Sequence, residues 1–273
     1  MRAPRRIVVA LLSVIVLACG DATEPVAVDR TLAIINGTPT GTSYGAVGAL
    51  LLDYNKDGDI DADDQWCTGT LIAPTLFLTA AHCVYPDADQ PLGSQFYVSF
   101  APDLLAKKVK IIAATRYEWD PQFGSSQANL HDLAIVTLPP GAAKGITPAN
   151  LPKAGALEQL ARRGTRFVNV GYGAYEAGNG GTSYGYDGFR RSSVSTFMSL
   201  QPTWLNLQTN VNATGLGGDC FGDSGGPKFL EGDPTTIYAT VSTGDAVCRA
   251  TSVSWRLDTP EARGFLGRFV PLP

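Results

Sequence analysis

The sequence predicts an all-β protein that ends in a short helix. Charged residues make up only 17% of the chain, and 30 residues are glycine. Short apolar runs are broken by Gly, Pro and Asp, a pattern typical of strands joined by turns, and helical periodicity is rare. Near the carboxyl end, Thr259 followed by Pro260 is a favourable helix start. The length suits one globular unit with two lobes. A net charge of −4 without a basic stripe argues against a nucleic-acid partner.

The amino-terminal stretch, residues 1–19, is predicted to be a targeting segment. Three arginines within the first six residues precede the apolar run 7–17, which is short for a bilayer span. The segment ends Val-Leu-Ala-Cys and resembles a bacterial lipoprotein signal, in which Cys19 would be lipidated. A plain secretory signal that is cut nearby is the alternative. Either reading places the protein outside the cytoplasm, lipid-anchored in the cell envelope or secreted. The polar residues 20–33 are predicted to be a tether or short propeptide.

A predicted strand at residues 45–52 leads into an acidic loop, residues 53–64. Its spacing fits the twelve-residue calcium loop, with oxygen side chains at positions 1, 3, 5, 9 and 12 and Gly58 at the sharp turn. The last position is Asp64 where Glu is usual, and the flanks are predicted strands. The alternative is a solvated loop without a cation. We expect structural Ca²⁺ bound by Asp53, Asn55, Asp57, Asp59, Asp61 and Asp64.

Further apolar runs of strand length follow along the chain. The first of them forms a strand pair that leads to a histidine motif. The predicted strands lie at residues 65–78, 96–100, 109–114, 205–211, 236–243 and 251–257.

Two motifs supply a nucleophile and a base. In GDCFGDSGGP, glycines surround Ser224, so the backbone can turn and present the hydroxyl, and the N–H groups of Gly222 and Ser224 can hold an oxyanion. Serine is a poor nucleophile unless a base lies beside it. The chain has two histidines, and one of them, His82, lies in LTAAHC. The other, His131, is predicted to be a solvent or packing residue because strand neighbours point to opposite faces.

A third motif lies between these two. In LHDLAIVTL, Asp132 opens an apolar run of strand length, and the order His82, Asp132, Ser224 is the order of the chymotrypsin arrangement. Together the motifs resemble the trypsin-like (chymotrypsin-fold) serine proteases over roughly residues 34–273. The resemblance implies two packed antiparallel β-barrels and peptide hydrolysis by a monomer through an acyl-enzyme, without a metal or organic cofactor. The substrate would be a protein or peptide.

The resemblance also divides the chain and pairs its cysteines. The amino-terminal barrel would cover residues 34–146, and the second barrel with the terminal helix would cover 147–273. Residues 167–173 resemble an early strand of the second barrel. The implied disulfides are Cys67–Cys83 and Cys220–Cys248. Of five cysteines, Cys19 is then left over, and lipidation would explain it.

Activation and specificity follow by the same resemblance. Ile34 matches the family's mature amino terminus, whose freed ammonium pairs with the acid before the serine, here Asp223. Ala33 stands before the cut, where an activator of trypsin type prefers Arg or Lys. The alternative is that Ile34 only begins a strand.

The resemblance also implies a specificity pocket. Trypsin has an Asp at the position of Gly218, whereas here the acid is Asp219, one residue later. A carboxylate there would favour Arg or Lys substrates. If Asp219 turns away, the pocket would take an apolar or aromatic side chain. Thr243 replaces a usual Trp and opens one wall. The implied lining residues are Gly218, Asp219, Ser242, Thr243, Gly244 and Ser252.

Three functions compete. The first is a secreted endopeptidase. The second is a catalytically silent homologue that serves as a calcium-stabilised binding module, and the third is an anchoring protein centred on the acidic loop. A fluorophosphonate probe that labels Ser224 separates the first from the others.

Overall fold

Two seven-stranded antiparallel sheets form most of the structure, a computed structural model that describes residues 33–176 and 184–273. The all-β prediction is therefore confirmed. In chain order the strands are β1 (Thr38–Pro39), β2 (Val47–Leu52), β3 (Gln65–Ala73), β4 (Leu76–Thr79), β5 (Phe96–Ser99), β6 (Ile112–Ala113), β7 (Arg116–Trp119), β8 (Ala134–Thr137), β9 (Arg166–Gly171), β10 (Tyr175–Glu176), β11 (Tyr184–Gly185), β12 (Arg191–Leu200), β13 (Trp204–Gln208), β14 (Pro227–Leu230), β15 (Asp233–Gly244) and β16 (Thr251–Arg256).

The first sheet has the order β6-β5-β2-β3-β4-β8-β7. β6 and β7 are nearly continuous in the chain, yet β6 pairs with β5 and β7 pairs with β8. The run from Ile112 to Trp119 therefore joins both ends of the sheet and gives it a barrel-like form. Closure of this kind removes exposed strand edges.

The second sheet has the order β1-β12-β13-β16-β15-β14-β9, and β9 also pairs with β12. Six of its strands thus form a ring, with β1 attached outside β12. The remaining strands, β10 and β11, form a separate hairpin-like pair. The predicted boundary at residues 146 and 147 lies between the two rings, but β1 joins the second sheet although it comes earlier in the chain.

Three of the five buried apolar clusters in the described residues hold these sheets together. One fills the first barrel around Leu50 and Phe77, and another fills the second around Phe167 and Leu205. The largest lies between the barrels, where Leu78 and Ile135 of the first meet Val168, Phe229 and Trp255 of the second. Each large apolar side chain that is fully buried contributes about 1.5–3 kcal/mol. The contact between the barrels is therefore a packed apolar interface.

Helices are short. They are α1 (Ala33–Asn36), α2 (Ala156–Leu160), α3 (Val211–Thr214) and α4 (Pro260–Leu266). In α4 the Thr259 side chain accepts a hydrogen bond from the backbone of Ala262, which confirms the predicted helix start. In α1 the Ile34 backbone has a φ of 48°, so this single turn is not regular helix. No helix within residues 33–176 or 184–273 is long and apolar enough to cross a membrane.

The predicted strands differ from the observed ones mainly at their ends. The run 109–114 is a strand only at Ile112–Ala113, and 205–211 ends at Gln208. β12 and β14 were not predicted, because polar residues alternate along the first and a lysine interrupts the second.

Candidate active site

His82 and Asp132 form a hydrogen-bonded pair near the contact between the two barrels. His82 lies in a 3-10 turn (Ala81–Cys83) after β4, and Asp132 lies just before β8, which pairs with β4. His82 Nδ1 is 2.8 Å from Asp132 Oδ2, and the His82 backbone N–H donates to Oδ1 at 3.0 Å. The Asp132 side chain is fully buried, whereas 35% of the His82 side chain is exposed. With Nδ1 engaged, Nε2 is the ring nitrogen left to exchange a proton.

The electrostatics of this pair favour an ionised carboxylate and a basic imidazole. Burial lowers the pKa of His82, but the charge of Asp132 and its hydrogen bond outweigh burial, so the pKa is raised. Burial raises the pKa of Asp132, but the His82 charge and hydrogen bonds from His82 and Ser242 outweigh it and lower that pKa. The carboxylate can therefore stabilise an imidazolium.

The loop that carries Ser224 closely approaches β3 and the turn that carries His82. The Thr68 N–H donates to the Ser224 carbonyl at 2.9 Å, and that carbonyl lies 3.8 Å from Cys83 Sγ. Gly225 has a φ of 77°, and a Cβ there would lie 2.5 Å from the Thr68 carbonyl oxygen. Only glycine permits this approach. The partly exposed Ser224 therefore lies beside Cys83, the residue that follows His82.

Several backbone N–H groups of this loop have no acceptor within the described residues: those of Gly222 and Ser224, and also those of Asp219 and Phe221. The N–H of Asp223, between Gly222 and Ser224, donates to the Cys220 carbonyl at 3.0 Å, and that of Gly225 donates to the Val241 carbonyl at 2.8 Å. The predicted oxyanion donors, Gly222 and Ser224, are thus among the unpaired groups of the loop.

The carbonyl of Gly222 is held from β3. Gln65 Nε2 donates to it at 2.9 Å and Thr68 Oγ1 at 3.0 Å, and Gln65 also donates to the Cys67 carbonyl at 3.1 Å. These bonds fix the peptide plane between Gly222 and Asp223. Sequence reasoning missed Gln65 and Thr68, because neither belongs to a motif.

Asp223 is buried beneath the loop. Its carboxylate accepts hydrogen bonds from the N–H groups of Gly173 and Cys220, each at 2.8 Å. Burial and the nearby Asp219 raise its pKa to about 7, against the opposing effect of these bonds and of Lys228. Ile34 is also fully buried, but it is joined to Ala33 here and has no free ammonium.

A buried lysine lies under the predicted specificity pocket. Lys228 in β14 is 0% exposed, forms an ion pair with Asp219 and donates to Asn169 Oδ1 at 2.6 Å. Asn169 is fixed in turn by bonds to the hydroxyls of Ser193 and Ser195. The Asp219 carboxylate is thus already neutralised, so the geometry does not favour the expectation that it receives a basic substrate side chain. It favours the alternative, in which Asp219 turns away.

The other predicted pocket residues have different environments. Ser242 donates its hydroxyl to Asp132 and so supports the His82 pair instead of a pocket wall. Thr243 and Gly244 are exposed, and the buried Ser252 hydroxyl has no partner within the described residues. Gly218 lies so close to Thr209 that a Cβ would stand 2.3 Å from its methyl group.

Both implied disulfides, Cys67–Cys83 and Cys220–Cys248, are present. The first ties β3 to the His82 turn, and the second ties the serine loop to the segment between β15 and β16. Disulfides of this kind are typical of an oxidising compartment. Cys19 lies outside the described residues.

His131 belongs to a separate pair. It is buried, and its Nδ1 lies 3.1 Å from Oδ2 of the buried Asp120. It therefore takes no part in the arrangement of His82, as expected for a packing residue.

The residues predicted to bind calcium all belong to one loop, but their side-chain oxygens do not converge on one point. Within the described chain, the only three His, Cys, Asp or Glu residues whose candidate ligand atoms lie within 4.8 Å of one another are Cys67, His82 and Cys83. Two of these are disulfide-bonded and supply no thiolate. The six predicted calcium ligands thus stand further apart than in a closed coordination sphere.

Two barrel-like sheets with a His–Asp pair beside a glycine-rich serine loop define the chymotrypsin class of fold and site. Residues 50–257 match the family model described as Trypsin. The chain belongs to the trypsin family of serine proteases.

Similar proteins span several activities. The chain is 28% identical over 183 residues to a trypsin of Phaedon cochleariae, covering 64% of this chain and 68% of that protein. It is 26% identical over 222 residues to a collagenase of Hypoderma lineatum, with coverages of 77% and 76%. Vitamin K-dependent protein C of Rattus norvegicus is 29% identical over 215 residues, but the match spans only 42% of that longer protein.

Solved structures show the same fold. A variant of human heparin binding protein superposes with a TM-score of 0.63 at 19% identity, covering 87% of this chain and 96% of that chain. The structure named HL collagenase gives a TM-score of 0.59 at 20% identity, with coverages of 82% and 94%. At such identities the likeness establishes the fold alone.

Proposed function

We propose that this protein is a secreted serine endopeptidase whose catalytic residues are His82, Asp132 and Ser224. The observation that supports this most directly is the 2.8 Å contact between His82 Nδ1 and the buried Asp132. The pair lies beside a loop that carries a partly exposed serine and the unpaired backbone N–H groups of Gly222 and Ser224. A protein or peptide is the substrate that the family membership implies.

In this proposal His82 Nε2 takes the hydroxyl proton of Ser224 while Oγ attacks the peptide carbonyl. The N–H groups of Gly222 and Ser224 stabilise the oxyanion. His82 then protonates the leaving amine, and the resulting ester is hydrolysed by water that His82 activates. Asp132 holds the imidazole tautomer, and the Ser242 hydroxyl helps to hold Asp132 in turn. No step requires a metal or an organic cofactor.

Activation is proposed to depend on the bond before Ile34. Asp219 and Asp223 are two buried carboxylates near one buried cation, Lys228. If both are ionised, the cluster lacks one positive charge, which is consistent with the raised pKa of Asp223. A freed Ile34 ammonium would supply that charge. The next residue, Ile35, already accepts a hydrogen bond from the Gly218 N–H at 3.0 Å, so this segment lies against the start of the serine loop.

Fluorophosphonate labelling tests this function. We expect a chain cut before Ile34 to be labelled at Ser224 faster than the uncut precursor, and Ser224→Ala to remain unlabelled. Equal labelling of cut and uncut chains would overturn the activation step alone. Absence of labelling in both would overturn the protease proposal and favour the catalytically silent, calcium-stabilised binding module.

The pocket is proposed to accept an uncharged side chain before the scissile bond, because Asp219 is already paired with Lys228. Substrates with Leu, Phe or Ala at that position should be cleaved with kcat/KM at least about 10-fold above matched Arg and Lys substrates. Fluorogenic peptides that differ only there provide the measurement. A preference for Arg or Lys that Asp219→Ser abolishes would restore the acidic-pocket reading.

Export and anchoring remain predictions. Residues 1–32 lie outside the described structure, so the signal segment and lipidation of Cys19 are supported by sequence alone. The two disulfides agree with folding outside the cytoplasm. The monomeric state likewise stays a prediction.

A further inference from the structure

The acidic loop between β2 and β3 contains a buried carboxylate oxygen that lacks a partner. Asp64, the last residue of the loop, is only 2% exposed, and its Oδ1 has no hydrogen bond within the described chain. Its other oxygen accepts the Asp61 N–H at 3.1 Å. Burying a polar atom without a partner costs free energy, so this oxygen is expected to have a ligand that the protein itself does not supply.

The surroundings of Asp64 are acidic. Asp53 Oδ1 is a second buried oxygen without a partner in the described residues. Burial raises the pKa of Asp64 although backbone hydrogen bonds from Asp61 and Tyr54 oppose this, and the negative charges of Asp61 and Asp53 raise it further. A cation among them would satisfy both orphaned oxygens and draw together side chains that otherwise stay apart.

The donor set identifies the cation. All the candidate ligands are carboxylate or amide oxygens, which suit a hard ion, and their spacing is that of a twelve-residue calcium loop. The sharp turn falls at Gly58, which has a φ of 85°. Asp64 occupies the last ligand position and lies 98% buried, whereas Asp57 near the tip is exposed. An ion bound here would therefore bridge the exposed tip of the loop to the buried start of β3.

The start of β3 is also the support of the oxyanion loop. Gln65 follows Asp64 directly, and its Nε2 donates to the Gly222 carbonyl at 2.9 Å. We propose that residues 53–64 bind one Ca²⁺, and that the ion fixes Asp64 and thereby holds Gln65 against Gly222. The proposed metal site does not depend on the proposed protease function. The effect of the metal on hydrolysis does rest on that proposed function.

Terbium luminescence tests the metal site directly, with the full exported chain. Tyr54 lies inside the loop and stacks on Trp66, with 5.6 Å between ring centroids, so either ring can sensitise a bound Tb³⁺. We expect emission that Ca²⁺ displaces at or below about 1 mM, the weak end for extracellular sites. Emission that Ca²⁺ never displaces, or no emission, overturns the site.

Matched variants define the ligands. Asp57→Asn and Asp64→Asn should each weaken Ca²⁺ binding about 10-fold or more, since each removes a charged ligand. Asp63→Asn removes the same charge from an exposed residue at a position that does not bind the ion, and should change binding less than about 2-fold. Equal weakening by Asp63→Asn and Asp57→Asn would show general attraction of cations to an acidic loop, and would overturn the site.

Hydrogen exchange tests the coupling without relying on activity. Ca²⁺ should slow exchange of the amides in residues 220–226 about 5-fold or more in the wild type. Gln65→Ala should bind Ca²⁺ normally yet lose that protection. Unchanged exchange in the wild type would overturn the coupling while leaving the site. If protection is seen but no fluorophosphonate labelling occurs, the protease proposal fails and the metal proposal stands.

Discussion

Ser224→Ala is expected to lower kcat/KM for peptide hydrolysis by a factor on the order of 10⁴ or more, with the fold unchanged. The substitution removes the attacking oxygen but leaves the carbonyl that anchors the loop to Thr68. Hydrolysis of a fluorogenic peptide by the chain cut before Ile34 is the measurement. Ser125→Ala, at an exposed serine, is the matched control and should retain full activity.

His82→Ala should cause a loss of similar size, because the serine and its base act as a unit. The double variant should therefore be hardly worse than either single one. Additive losses would show that Ser224 and His82 act separately and would contradict the assignment. Since the pKa of His82 is raised, the wild-type rate should fall as pH is lowered, with an apparent pKa above the ordinary value near 6.5.

The parts of the site that could be predicted are those encoded by contiguous residues. The serine loop needs glycine at Gly225 because the backbone of β3 passes so close, and that need leaves a visible motif. The cysteines and Asp132 likewise stand within local patterns. The strands around them could be placed because buried apolar runs are short and end at turn residues.

The parts that could not be predicted depend on residues distant in sequence. Lys228 stands between Pro227 and Phe229 in a short strand, where alternation would turn it towards solvent. Instead the sheet closes into a barrel, and the lysine meets Asp219 and Asn169 inside it. A local sequence pattern cannot indicate a partner such as Asn169, which lies 59 residues from Lys228 in the chain. The role of Asp219 in the pocket therefore stays a prediction.

Lys228 therefore connects specificity, activation and stability. The same cation neutralises Asp219 and lowers the pKa of Asp223, the proposed partner of the new amino terminus. A carboxylate whose pKa is raised in the folded state destabilises the fold increasingly as pH rises above its unfolded pKa near 3.9. For Asp223 this loss accumulates between about pH 4 and pH 7, and the freed ammonium of Ile34 should diminish it.

Lys228→Met is expected to destabilise the protein by about 3–5 kcal/mol, because it leaves Asp219 buried without a counter-charge. The melting temperature should fall by roughly 10 °C for a chain of this size. Thermal unfolding of the Ser224→Ala background, which prevents self-digestion, provides the measurement. Lys108→Met changes an exposed lysine and should have little effect.

The paired variant distinguishes loss of charge balance from loss of packing. Asp219→Asn keeps the shape of the side chain and removes its charge, so Lys228→Met with Asp219→Asn should be more stable than Lys228→Met alone. If the double variant is less stable than Lys228→Met alone, the lysine acts mainly through its apolar stem. Asp219 is then again a candidate for the carboxylate that binds a basic substrate side chain.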